Sequence, residues 1–415
     1  MTILRSVESA LSRRRGIAIL LVFYAFLICL RAPDIIITGR FWAEEGKIFY
    51  VNALQTGPLE AIFTSYGGYL NLIANASTTA ARWLLPMELA PYMTIATGLA
   101  FQLLPAFLVL TARDIWLRPP LIRLAALGIM LFTPSSSEIW LQTLHCQFEL
   151  ALACSLIITF ETVGGVVGGI RLITLFLAPL CGPGAIVLLL PLALRLASDR
   201  TKARLIQFLV LGIGAAIQML FFFHVESGRG NHLPLNIALA VVFAREPLVM
   251  FLGVGARTHA LIAGFHHKFM VDPKVISRAD IDAVLFFGIA FLLSLRVRPA
   301  FWLLLTNAVF TGAAIYGSIG GAIDQLDVFV GERYIFVGQS LCGLMFVAFA
   351  AAVKGKMCWL GGAIIVWLLV IGVTNYWHPV FNLTGPDWRH EVTLWRADHH
   401  HLIQIWPNGW TIALP

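Results

Sequence analysis

Arg13-Arg14-Arg15-Gly16-Ile17-Ala18-Ile19-Leu20-Leu21-Val22-Phe23-Tyr24-Ala25-Phe26-Leu27-Ile28-Cys29-Leu30 decides how this chain is read. Three arginines precede an uncharged apolar run, Gly16 to Leu30. Such a run reads as a membrane helix, and the arginines hold its amino terminus in the cytoplasm. No small-residue cleavage site follows; the next residues are Arg31-Ala32-Pro33-Asp34. The helix is therefore expected to be retained and not removed as a signal peptide.

The rest of the chain repeats the theme. It has 415 residues, 59% of them hydrophobic and 12% charged, with a mean hydropathy of +0.83. A soluble domain carries about 25% charge. Further apolar runs cover Glu88–Thr111, Leu121–Pro134, Phe148–Val163, Ile170–Cys181, Gly184–Leu196, Arg204–His224, Asp282–Leu295, Ala300–Tyr316, Glu332–Val353 and Cys358–Trp377. Threading them in alternation puts Arg113, Arg118, Arg123, Arg171, Arg195, Arg200, Lys202, Arg204, Arg296, Arg298, Lys354 and Lys356 inside. All 11 histidines fall outside. This asymmetry orients the chain. It also argues against nucleic-acid binding, because the basic residues track one membrane face.

The expected fold is an all-α polytopic membrane protein of about 11 transmembrane helices, N-in and C-out. Tyr69 to Leu85 is moderately apolar but carries Asn71, Asn75, Ser77, Thr78, Thr79 and Arg82. Counting it as a span would put the later arginines outside, so it reads as a juxtamembrane helix in the first outer loop. Residues 1–377 then form the membrane domain, with outer loops at 31–87 and 225–281. Residues 378–415 form a small outer tail. The short runs around Gly182-Pro183 read as a broken helix pair. The six cysteines are irregularly spaced and read as packing residues.

Chemistry gathers in the outer segments. Arg40-Phe41-Trp42-Ala43-Glu44-Glu45-Gly46 sets two carboxylates beside aromatic surface. Crowded like charges next to apolar surface raise a pKa, which suits a general base. The plainer reading is that both acids open the helix at 46–56. Tyr66-Gly67-Gly68-Tyr69-Leu70-Asn71 offers a tight turn with ligand-binding tyrosines and an amide, or a simple interfacial turn. Ser135-Ser136-Ser137-Glu138 and His145 place polar groups at a helix mouth. Arg333, at the start of a long apolar run, can grip a phosphate or snorkel beside Glu332. In the tail, Asp387-Trp388-Arg389-His390-Glu391 adds polar groups. His399-His400-His401 fits no metal-ligand spacing, so no metal site is expected. His224, just before the 225–281 loop, and Glu226 and His232 within it begin an irregular histidine-rich stretch.

Taken in order, Phe41-Trp-Ala-Glu-Glu-Gly46, Tyr66-Gly-Gly-Tyr69, Pro134-Ser-Ser-Ser-Glu138, Gly182-Pro183, Gly331-Glu-Arg-Tyr334 and Asp387-Trp-Arg-His-Glu391 cover most of the chain. In this order they resemble the GT-C superfamily of membrane glycosyltransferases, and more narrowly bacterial multispanning proteins related to it. The superfamily's acidic pair usually contains an aspartate; here both residues are glutamates. The resemblance implies an enzyme of the bacterial inner membrane with a periplasmic active site. A polyprenyl-phosphate sugar would be the donor and a glycan or lipid hydroxyl the acceptor. Glu44 or Glu45 would be the base, and Arg333 and Arg40 would neutralise the leaving phosphate. Tyr66, Tyr69, Asn71, Glu138, His145 and Tyr334 would line the substrate site. No cofactor or metal is implied. A transporter or flippase for a polar or lipid-linked substrate is the alternative of a different class, and a non-catalytic partner in envelope polysaccharide assembly is a third.

Overall fold

The computed structural model describes residues 14–222, 234–317, 323–328, 330–377 and 384–414. Arg13, His224, Glu226 and His232 lie outside the described residues. The chain is mostly helical. Its longer helices are α1 (Arg14–Arg31), α2 (Leu72–Leu84), α3 (Ala90–Thr111), α4 (Pro120–Leu131), α5 (Cys146–Thr159), α6 (Gly165–Leu180), α7 (Leu189–Asp199) and α8 (Lys202–Phe222). They continue with α9 (Leu235–Leu252), α10 (Ala256–Val271), α11 (Arg278–Ser294), α12 (Arg298–Tyr316), α13 (Glu332–Ala352), α14 (Met357–Tyr376) and α15 (Trp388–Ala397). Two hairpins complete the fold: β1 (Ser65–Tyr66) with β2 (Tyr69–Leu70), and β3 (Ile403–Ile405) with β4 (Trp410–Ile412).

Among the described residues, 6 helices are long and apolar enough to cross a membrane: α8, α9, α12, α13, α14 and α3 with its leading turn. That is the make-up of a multi-pass membrane protein. Helix α5 is of another kind. It is apolar but short, and all of it except Gln147 is buried. It is the central post of the bundle and needs no lipid-facing side. By contrast, α8 and α14 leave Leu205, Ile206, Leu209, Ile213, Trp359, Val366 and Val370 exposed. Apolar surface of that extent is stable only against lipid or a partner.

The loop expected over 225–281 is corrected by α9. Arg245-Glu246-Pro247 interrupts the apolar pattern, yet the helix continues through it as a π turn, Ala244–Leu248. The charges are satisfied inside the protein. Arg245 Nη1 donates to the carbonyls of Gln325 (2.8 Å), Asp327 (2.5 Å) and Val330 (2.9 Å). Glu246 accepts from Asn307 (2.7 Å) and Thr311 (2.8 Å) of α12. These two sit mid-helix because their partners come from distant segments. Both ends of α9 are tied to other segments. Asn236 donates to the carbonyls of Pro273 and Val275, just before α11. The Val254 amide donates to Asn375, at the end of α14.

Local signals explain the elements nearest the pocket. Gly67 and Gly68 both adopt positive φ, 64° and 86°, the backbone of a tight hairpin turn that side-chain-bearing residues resist. Helix α2 has 13 residues, a rise of only about 20 Å, so it packs on α3 and on the Glu45 segment without spanning. Asp387 caps α15 through the amides of Arg389 and His390. The tail is no appendage. Its backbone bridges the first loop at Trp42 and Trp406, and the Ala43 amide donates to the Trp406 carbonyl at 2.5 Å.

Candidate active site

Glu44 and Glu45 are neighbours in sequence with opposite surroundings. A π turn, Glu45–Tyr50, follows Ala43, whose φ of 38° turns the chain sharply. Glu45 is fully buried. Its Oε2 accepts the Trp42 amide at 3.0 Å, and its Oε1 accepts the Thr143 amide at 2.5 Å together with the Thr143 hydroxyl. Burial raises the pKa of its carboxyl, while these donors and nearby Arg40 oppose the rise. Its oxygens are spent on holding the loop. Glu44 lines a chamber of about 370 Å³, and among the described residues its carboxylate has no hydrogen-bond or ion-pair partner.

The chamber brings together Glu44, Tyr66, Tyr69, His145, Arg333 and Tyr334, which the sequence put forward. It excludes four others. Arg40 is buried, with Nη2 donating to the carbonyls of Trp140 (2.5 Å) and Leu141 (3.3 Å). Its guanidinium stacks on Trp42 (5.2 Å) and Trp406 (5.5 Å). Burial lowers its pKa to about 10, with Glu45 pulling upward. Arg40 is a brace, not a phosphate ligand. Asn71 is buried at the start of α2, away from the chamber. Glu138 stands behind the wall, where its Oε2 accepts Arg333 Nη1 at 3.1 Å. Glu45 is the fourth.

The strap from Ser135 to His145 sets this geometry. The Ser135 amide donates to Gln339 at 3.0 Å, and Arg31 donates to the Ser136 hydroxyl at 2.9 Å. Ser137 donates its amide to Glu332 at 2.8 Å and also offers its hydroxyl. Gln102 holds the strap through Ile139 (3.0 Å) and Leu141 (3.2 Å). At its end, His145 Nδ1 lies 2.6 Å from the Glu138 carbonyl. A carbonyl only accepts, so Nδ1 carries the proton and Nε2 is left as an acceptor. Burial, and then the positive Arg333, lowers the His145 pKa to about 3. The ring is neutral at physiological pH.

Apolar residues that sequence reading missed form the other wall: Val187, Phe222, Phe310, Ala313 and Ala314. Nothing in their sequence distinguishes them from other apolar helix residues. Pro183 and Gly184 also line it, and the helix break there was visible beforehand. The chamber is therefore lined by both polar and apolar side chains, a composition suited to an amphiphile. Among the described residues, no group of His, Cys, Asp and Glu is arranged to hold a metal ion. His401 instead meets Glu391 at 2.9 Å, and His399 Nδ1 lies 2.9 Å from the Trp395 carbonyl.

No family model, curated protein or solved structure matches the chain.

Proposed function

We propose that the protein is a membrane glycosyltransferase that moves a sugar from a polyprenyl-phosphate donor to an acceptor hydroxyl. The observation that carries the reading is the pairing of an unengaged carboxylate, Glu44, with a guanidinium, Arg333, in one chamber with an apolar wall. The prenyl chain would lie along Phe222, Phe310 and Ala314. The phosphate would meet Arg333, a fork-shaped cation matched to phosphate oxygens. Glu44 would take the proton from the acceptor hydroxyl. The oxygen would bond to the anomeric carbon as the bond from that carbon to the phosphate oxygen breaks. The electron pair leaves with the polyprenyl phosphate, and the anomeric centre inverts. Arg333 would stabilise the charge growing on the leaving group. His145 Nε2 can accept a hydrogen bond from a sugar hydroxyl.

In the same reading the chamber opens to the periplasm of a bacterial inner membrane. The amino terminus is cytoplasmic, the tail is outside, and about 11 helices cross. The two cavities lie at opposite ends of the bundle. Chamber residues come from the start of α5, the end of α8, the end of α12 and the start of α13. A second cavity takes residues from the opposite ends of α5, α12 and α13 and from the α7–α8 turn. Cysteines placed at Arg113 and Asp387 are expected to label from opposite sides.

The test of function is donor consumption by purified protein across a panel of polyprenyl-phosphate sugars with glycan and lipid acceptors. If no donor is consumed, the transferase reading falls. The alternative, a transporter or flippase, is favoured by the buried Arg245 and Glu246 within α9, because ionisable groups inside membrane helices often mark transport paths. It predicts substrate movement in proteoliposomes that Glu246→Gln abolishes and Glu44→Gln leaves intact.

A further inference from the structure

At the end of the bundle opposite the chamber lies a cavity of about 940 Å³ walled by Trp116, Glu161, Arg195, Asp199, Arg298 and Trp302 among others. It shares no residue with the chamber. Its wall carries the acids Asp114, Glu161 and Asp199 and the arginines Arg195 and Arg298. Asp199 meets three guanidinium groups: Arg195 Nε at 3.0 Å, Arg204 Nε at 3.2 Å, and Arg298 Nη2. Arg204 is fully buried and spends its other nitrogens on Ile157 (2.9 Å), Phe160 (2.5 Å) and Gln207 (2.9 Å).

Arg195 differs from Arg204. It is 4% exposed, and beyond the Asp199 ion pair its nitrogens make no hydrogen bond among the described residues. Its guanidinium lies over the Trp302 ring at 4.9 Å. Asp114, which also lines the cavity, acts on Arg195 and Arg204 as a second anion. Asp114 accepts the Glu161 amide on both oxygens, at 3.2 Å each, and Glu161 itself is exposed. Three guanidinium groups thus meet Asp199 directly, and two of them are buried. A buried N–H left without a hydrogen-bond partner, as on Arg195, is costly unless a ligand completes the site. A guanidinium with unused N–H groups, held flat against an indole, presents the donor fork that phosphate accepts.

We propose that this cavity is a second ligand site, specific for a phosphate-class oxyanion gripped by Arg195 with Arg298 at the lip. The oxyanion is either the headgroup phosphate of a membrane lipid or a soluble phosphate compound. The site does not depend on the transferase reading.

The test uses the full-length chain. Delipidated protein in detergent is titrated with inorganic phosphate by calorimetry. In parallel, nanodiscs of phosphatidylcholine with and without phosphatidylglycerol are scored by native mass spectrometry for retained lipid. Saturable phosphate binding identifies a soluble ligand; selective retention of phosphatidylglycerol identifies a headgroup. Either supports the site, provided that Arg195→Gln weakens it roughly tenfold or more and Arg195→Lys weakens it less. If Arg195→Gln does not purify as a folded species, Arg298→Gln, at an exposed residue, is expected to weaken binding roughly threefold. The proposal is overturned if neither probe binds the wild type. It is equally overturned if the folded Arg195→Gln protein, or Arg298→Gln in its place, binds as the wild type does.

Discussion

Exchanging Glu44 and Glu45 for glutamine, one at a time, separates a reacting carboxylate from a structural one. Glu45 accepts two backbone amides, from Trp42 at 3.0 Å and Thr143 at 2.5 Å, on different oxygens. Glutamine keeps only one acceptor oxygen. Whichever way its amide is turned, the NH2 group faces one of those N–H donors. One buried backbone donor is then left unsatisfied, a loss of about 1–3 kcal/mol. Glu44 has no such partners, so Glu44→Gln is expected to stay within about 0.5 kcal/mol of the wild type. Turnover should follow the reverse order. Removing a general base costs roughly 10²–10⁴-fold, so Glu44→Gln should be nearly inactive. Glu45→Gln, assayed well below its lowered melting temperature, should retain most activity. Thermal unfolding and donor consumption are measured on the same purified samples. Wild-type turnover by Glu44→Gln, or equal destabilisation by both variants, would refute the assignment.

Three further outcomes are expected. His145 has a pKa of about 3 in the fold against about 6.5 in an unfolded chain. Between those values the unfolded state binds more protons, so the His145 contribution is complete above about pH 6.5 and is lost as pH falls towards 3. Unfolding midpoints against pH should therefore decline less steeply in His145→Gln; an unchanged slope contradicts the burial argument. A Cβ on Gly98 would lie 2.6 Å from the Gln142 backbone N and O. Gly98→Ala should cost about 1–3 kcal/mol by pushing on the Gln142 backbone, and wild-type stability would show that the contact yields freely. Trp406 is 1% exposed and donates its indole N–H to the Pro386 carbonyl at 2.9 Å. Trp406→Ala should cost about 3–5 kcal/mol and open the 41–46 segment to protease; equal protection in the variant would count against the clamp.

The sequence made the helices legible where periodicity and charge are local. Every apolar run falls on helical structure, because an uncharged stretch has few ways to satisfy its backbone in lipid. What failed depended on distant partners. Arg245 and Glu246 read as loop residues until Gln325, Asp327, Asn307 and Thr311 are seen to surround them. Glu44 and Glu45 were indistinguishable until Thr143, 98 residues away, was found to claim Glu45. Arg40, which the resemblance set against a leaving phosphate, gives its guanidinium to two carbonyls of the strap instead. Glu138 and His145 were picked out together as polar, but only packing shows one behind the wall and the other on it.

The bridge between Trp42 and Trp406 joins segments separated by almost the entire described chain. During synthesis the first loop emerges long before its clamp exists. Until the Trp406 segment arrives, Ala43 lacks its backbone partner and the Glu44 turn lacks its outer support. A nascent or prematurely terminated product would hold an unfinished pocket in the membrane. Completion of the pocket is thereby tied to synthesis of the Trp406 segment.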